Sequence, residues 1–387
     1  MNGLSALSTS SDPRTAVDEI LTRLRHLAAE GPADVVIGFA TSAHAETLGL
    51  LGRRVRAEAI GRTFLGCTGE SIVGEDREIE EGPALAVLAL RLPGAILEPS
   101  RISFHDEEFE GWVPPSSDAE GSTLLLLGDP FTFPTDRFLS LIEREARGLR
   151  VVGGMASASH RIGGNRLVLN DDVHRDGAVA LRISGEVRVR AIVSQGCRPI
   201  GHTMIVTKVD QNVIRELGRR SAYEVLRETF DALDDDEKAL VKNGLHLGRV
   251  INEYQESFRR GDFLVRNVIG VDESGGVVVN DFIRVGQTVQ FHVRDAETAD
   301  EDLRGLIEPR PSGVVGALLF TCNGRGSRMF SEPDHDVGVL RERLGPIPVA
   351  GFFAMGELGP IGGQNFVHGF TASVILFETS EDATDRP

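Results

Sequence analysis

The sequence predicts an α/β or α+β protein, a layered mixed-sheet molecule of repeated β-α-β-β units with helices packed outside. Three observations predict it: one supersecondary pattern occurs three times, glycine clusters at the ends of short apolar runs, and those runs alternate with helical stretches. The first apolar runs of the three copies lie at residues 35–39, 124–128 and 317–320. Their second runs reach Gly66, Gly153-Gly154 and Gly351, and their third runs are 84–90, 178–183 and 372–377. Parallel strands need a crossover helix, whereas adjacent short runs pair as hairpins, so each copy implies a mixed sheet. Two sheets are expected.

Taken in order, residues 1–13 are polar and read as a loose tail. Residues 15–29 carry Val17, Ile20, Leu21, Leu24 and Leu27 at helical spacing after Asp12-Pro13. The segment 111–121 is a Pro/Ser/acidic loop. Phe138, Leu139, Leu141, Ile142 and Ala146 supply the apolar face of the second copy's helix. Residues 187–193 and 204–209 read as strands and 212–230 as a helix. Asp234-Asp235-Asp236-Glu237 is an acidic turn opening a helix, and the main boundary is placed near it. Strands follow at 263–271, 276–280 and 288–293, then a helix at 297–307, a linker at 309–313 and the third copy. An acidic tail ends the chain.

Composition excludes several classes. The chain has 387 residues, 41% hydrophobic and 26% charged, with net charge -17. That balance suits a globular protein and opposes sequence-independent nucleic-acid binding, which needs a cationic face. Only Cys67, Cys197 and Cys322 are present, an odd and scattered set that fits a reducing compartment and no zinc site. No signal peptide or membrane-spanning run is seen, so a cytoplasmic location is expected. No GxxxxGK[ST], HExxH or GxSxG motif occurs.

Chemistry concentrates in two segments. The first is Phe320-Thr321-Cys322-Asn323-Gly324-Arg325-Gly326-Ser327-Arg328-Met329-Phe330, an apolar run followed by tight turns. Exposed N–H groups there can cradle an anion, and Arg325 or Arg328 can pair with a carboxylate or phosphate. The plainer reading is a simple turn with arginines facing water. The second is Gly351 to His368, with Gly356-Glu357, Gly362-Gly363, Asn365 and His368. Glu357 can bind an amine, act as acid or base, or pair with Arg325. His368 reads first as a packing residue. Cys67 reads first as inert and buried. Asp334-His335-Asp336 reads as a helix cap or turn.

At these residues the sequence resembles the FIST family of intracellular signal-transduction sensory domains. The resemblance rests on the stretches 317–326, 348–360 and 286–295, on Gly66-Cys67-Thr68-Gly69-Glu70, on Asp129-Pro130-Phe131, on 151–154 and on 194–197. It implies a tail and helix at 1–33, a FIST N-like domain at 34–232, a FIST C-like domain at 233–377 and an acidic tail at 378–387. It also implies a sensory module for a small molecule such as an amino acid, here stand-alone, with a possible signalling protein partner. No catalytic residue, cofactor or metal follows from it. The expected ligand site comprises Asn323, Gly324, Arg325, Gly326, Gly356, Glu357, Gly363, Asn365 and His368. A thiol-dependent enzyme using Cys322 or Cys67 with Glu357 or His368 as base, and a protein-interaction scaffold, are the alternatives.

Overall fold

The computed structural model describes residues 1–115, 119, 121–242, 244–309 and 313–379. Most of the acidic tail, most of the 309–313 linker and part of the 111–121 loop therefore lie outside the described residues. The chain divides into two compact units, 1–193 with 303–367 and 371–387, and 194–302 with 368–370. The expected boundary at 232/233 falls inside the second unit, between the helices Ala222–Asp231 and Asp235–Lys242.

The first unit contains the three copies. Each supplies a strand, a helix, a parallel strand and an antiparallel third strand. In the first copy these are Ala33–Ala40, Ala45–Ala57, Gly61–Thr68 and Leu85–Arg91. In the second they are Thr123–Gly128, Thr135–Glu145, Arg150–Met155 and Ala178–Gly185. In the third they are Val314–Cys322, His335–Leu344, Val349–Ala354 and Thr371–Thr379. The first strands read as continuous apolar runs because both faces are covered. Val35, Ile37 and Phe39 face a core shared with Leu125, Leu127, Leu318 and Phe320. Val36, Leu124 and Leu319 instead face the outer helices. Phe39, Phe320 and Phe352 meet in that shared core, with ring centroids 5.2–6.0 Å apart.

Three copies thus make three sheets, not the two expected, because each copy passes a hairpin to another copy's sheet. The hairpin Ile72–Gly74/Arg77–Ile79 of the first copy joins the third sheet beside Val349–Ala354. Leu167–Leu169/Asp172–His174 of the second joins the first sheet. Glu357–Ile361/Gln364–His368 of the third joins the second sheet. The exchange is cyclic and keeps register: Gly66, Gly153 and Gly351 pair across it with Val168, Leu358 and Val73, and within their own copies with Gly38, Leu126 and Leu319. A Cβ on Gly351 would lie 1.8 Å from the Leu319 carbonyl oxygen, and one on Gly66 or Gly153 about as close to its own partner's. Gly351→Ala is expected to cost about 1–3 kcal/mol by overpacking, read as a lower denaturant midpoint.

The N-terminal segment corrects the sequence reading. Asn2–Ser8 is an antiparallel edge strand on Leu85–Arg91, with Ala6 and Ser8 buried, rather than a loose tail. The helix that follows, Pro13–Ala28, starts where Asp12 accepts the Thr15 N–H at 2.8 Å. At the other end Glu378, the first residue of the expected acidic tail, lies buried in the last strand and pairs with Arg190 at 2.8 Å.

The second unit is a closed ring of six strands. Cys197–Asp210 pairs with both Thr288–Arg294 and Val213–Leu217, and Leu245–Val250, Phe263–Val271 and Val277–Val279 complete the circuit. The helix expected over 212–230 is therefore half strand. Val213 and Ile214 pair with Val278 and Val277, Gly218 and Arg219 turn the chain at positive φ, and only Ala222–Asp231 is helical. His246 and His292 are cross-strand partners, both buried. Burial lowers each imidazole to about 4, with Arg294 and His292 adding repulsion at His246. The folded protein resists a proton that the unfolded chain takes up near pH 6.5. Relative to His292→Gln, the wild type is expected to lose up to about 3 kcal/mol as pH falls from 6.5 to 4, measured by urea titration.

Candidate functional site

The strand Val314–Cys322 ends at the core's rim and turns sharply. Gly326 takes φ +59, and a Cβ there would lie 2.7 Å from the Glu80 carboxylate. Glu80 accepts hydrogen bonds from the Ser327 N–H at 2.8 Å and its hydroxyl at 2.6 Å. Arg328 is exposed, donates to the Asn323 carbonyl at 2.7 Å and pairs with Glu70. Two carboxylates of the first copy therefore pin the third copy's turn.

Arg325 does not face water. It is 0% exposed. Its Nε donates to Asp336 Oδ2 at 2.8 Å and its Nη2 to Oδ1 at 2.7 Å. Asp336 also accepts from the Thr321 hydroxyl at 2.6 Å and lies 2.9 Å from His335 Nδ1. The guanidinium sits 5.2 Å from the Phe330 ring centroid, and Phe330 stacks on His335. Burial alone would lower the Arg325 pKa, but Asp336 holds it above the ordinary value. Burial would likewise raise Asp336, but Arg325, His335 and Thr321 hold it far below the carboxylate range. The pair is a bidentate ion pair out of water, with both groups charged.

Two further carboxyls are buried in this region. Glu78 arrives on the first copy's exchanged hairpin, and its Oε1 accepts the Val337 N–H at 2.9 Å. Burial, then repulsion from Asp336 and Asp334, pushes it up to about 8. Glu357 is 0% exposed, and its Oε2 accepts from the Thr371 hydroxyl at 2.7 Å and N–H at 3.3 Å. Burial pushes Glu357 up to about 8, opposed by Thr371, by the Arg325 charge and by a hydrogen bond from Cys322. The repeat singles this residue out. Glu357 pairs with Gly154 in the second sheet, where Ile72 pairs with Phe352 in the third and Leu167 with Cys67 in the first. Two copies place an apolar side chain where the third places a carboxyl.

Four buried polar atoms here lack a protein partner: Asn323 Oδ1, Arg325 Nη1, Glu357 Oε1 and Glu78 Oε2. Buried polar groups are rarely left so. Together they offer one cationic donor, one amide acceptor and two carboxyls largely protonated at neutral pH. With Arg325 and Asp336 cancelling, the cluster is close to neutral.

Of the expected site residues, Asn323, Arg325 and Gly326 share this turn with half-buried Gly324, and Glu357 faces it through Cys322 and Arg325. Gly356 shapes the approach to Glu357 at φ +137, its carbonyl accepting the Met155 N–H. Gly363 lies elsewhere, in the turn at the far end of the five-residue strand Glu357–Ile361. Asn365 bridges the Val151 N–H and the Leu149 carbonyl, 2.8 Å each, and so splices the exchanged hairpin to the second sheet. His368 belongs to the second unit, where it is buried. Cys67 is fully buried and its thiol pushed well above the ordinary value. Asp334-His335-Asp336 begins the helix His335–Leu344. The sequence reading missed Asp336 as Arg325's partner, and missed Glu78, Glu80 and Thr371 altogether. Only Asp336 carried a local signal, as an acid in a helix's first turn.

The FIST N domain model matches residues 34–220 and the FIST C domain model residues 222–360. This chain belongs to the FIST family, whose domains are sensory and signal-transduction modules. It is similar to an uncharacterized protein of Mycobacterium bovis, 40% identical over 95% of this chain and 97% of the relative. A second uncharacterized protein, from Mycobacterium tuberculosis, is 39% identical over 96% and 98%. Among the described residues no helix is long and apolar enough to cross a membrane.

Proposed function

We propose that this chain is a cytoplasmic FIST-type sensor that binds a small polar ligand, an amino acid, at the strand ends of the third copy. The observation that carries the reading is the group of four unpartnered buried polar atoms around one charge-balanced cluster. An amino acid brings one charge of each sign, and each finds a partner in the cluster, so neither is left unpaired in a dry site. Its carboxylate takes Arg325 Nη1, the donor that Asp336 leaves over. Its ammonium takes Asn323 Oδ1 and Glu357 Oε1.

This corrects the simpler picture of an arginine reserved for the ligand, since two of the three Arg325 nitrogens are already engaged by Asp336. A thermal-shift screen against amino acids and small carboxylates tests the reading. One or more amino acids are expected to raise Tm by linkage. Asn323→Ala and Glu357→Gln are expected to abolish the rise while folding normally. A rise of equal size in both variants would place the ligand elsewhere.

A further inference from the structure

We infer that Cys322 is a reactive thiol which hydroperoxides oxidise to a sulfenic acid, with Glu357 moving the proton and Arg325 holding the peroxide. The inference uses the same cluster as the proposed function but does not rest on amino-acid binding.

The three cysteines differ in access. Cys67 and Cys197 are 0% and 1% exposed, whereas Cys322 is half-buried at the end of its strand. They differ in surroundings as well. Cys67 lies in an apolar core with only burial acting on it. Cys322 hydrogen-bonds to Glu357 and interacts electrostatically with the cations Arg325 and Arg328. Other charged or titratable groups nearby are Asp336 and Glu78 around Arg325, with His335 against Asp336 and Asp334 acting on Glu78, and Glu70 and Glu80 around Arg328. A carboxyl in contact that can take the proton during attack, and two nearby guanidinium groups, are the conditions that activate a thiol.

The second observation is independent of the thiol. Arg325 Nη1, Asn323 Oδ1 and Glu357 Oε1 are unpartnered within the protein, and Arg325 and Glu357 are wholly buried. A hydroperoxide matches them as a compact polar molecule with acceptor oxygens for Nη1 and one O–H for an acceptor such as Oδ1. In the step, the Cys322 sulfur attacks the terminal peroxide oxygen, an S–O bond forms and the O–O bond breaks. Sulfur is oxidised and the peroxide reduced. The thiol proton passes to the Glu357 carboxylate and on to the departing alkoxide, so a thiol and a hydroperoxide yield a sulfenic acid and an alcohol, or water from hydrogen peroxide.

The test exposes the full chain to hydrogen peroxide, traps sulfenic acid with a dimedone-type reagent and quantifies each cysteine by mass spectrometry. Cys322 is expected to label at least about tenfold faster than Cys67 and Cys197, and faster than free cysteine at the same pH. Its rate should rise with pH through about 8, where Glu357 ionises. Glu357→Gln is expected to slow it about tenfold or more and remove that rise. Labelling no faster than free cysteine, or an unchanged rate and pH profile in Glu357→Gln, overturns the inference. If that variant does not fold, the wild-type profile decides alone: a rate flat between pH 7 and 9 overturns it. Cys322→Ser separates the two readings, because it should keep any amino-acid thermal shift while losing all labelling at position 322.

Discussion

Replacing Arg325 with methionine is expected to destabilise the protein by about 3–5 kcal/mol, because it leaves the Asp336 carboxylate buried without its partner. Both groups are at most 1% exposed, so water cannot take the place of the lost hydrogen bonds. The loss should be smallest in acid, where Asp336 can be neutralised. The double variant Arg325→Met/Asp336→Leu is expected to recover most of the stability, since an apolar pair of similar volume avoids the desolvation cost. Urea titrations of the wild type, both single variants and the double variant give the coupling directly. Additive losses would show that the pair is not an energetic unit. The same reasoning makes an Arg325 variant a poor probe of ligand binding.

The second large effect is on pH dependence. Glu357 ionises near 8 in the folded chain and near 4.5 when unfolded. Between those values the unfolded state releases a proton that the folded state retains, so stability falls as pH rises and the loss is complete above about 8. Glu357→Gln keeps the acceptor for Thr371 and cannot ionise. It is expected to match the wild type near pH 4.5 and to exceed it by a few kcal/mol at pH 9, as an upper estimate. Glu78 acts in the same direction, so part of the wild-type slope should survive in the variant. A variant less stable than the wild type at pH 9 would mean that Glu357 is stabilising as an anion.

The fold was largely legible where burial is two-sided. Runs such as Leu124–Leu127 are apolar throughout because the shared core lies on one face and a helix on the other. That makes the copies visible without knowledge of their pairing. The hairpin exchange was not legible, because Ile72, Leu167 and Glu357 find their partners in another copy, and no local pattern encodes that. Asn2–Ser8 escaped notice because an edge strand tolerates Asn, Ser and Gly. The 212–230 stretch misled because a helical spacing of apolar residues began in a strand whose partner, Val277–Val279, lies sixty residues on. At the site, Arg325, Asn323 and Glu357 stood out from their turn glycines. Glu78 and Thr371 did not, since their roles come only from tertiary register.

The central claim is that an amino acid's ammonium pairs with Glu357. Pairing requires that carboxyl to ionise, so binding at pH 7 should release a proton. Calorimetric titration with the amino acid giving the largest thermal shift, in two buffers of different ionisation heat, counts that proton. The wild type is expected to release most of one proton, and Glu357→Gln to show no binding or none released. Tight binding with no proton released by the wild type would contradict the claim.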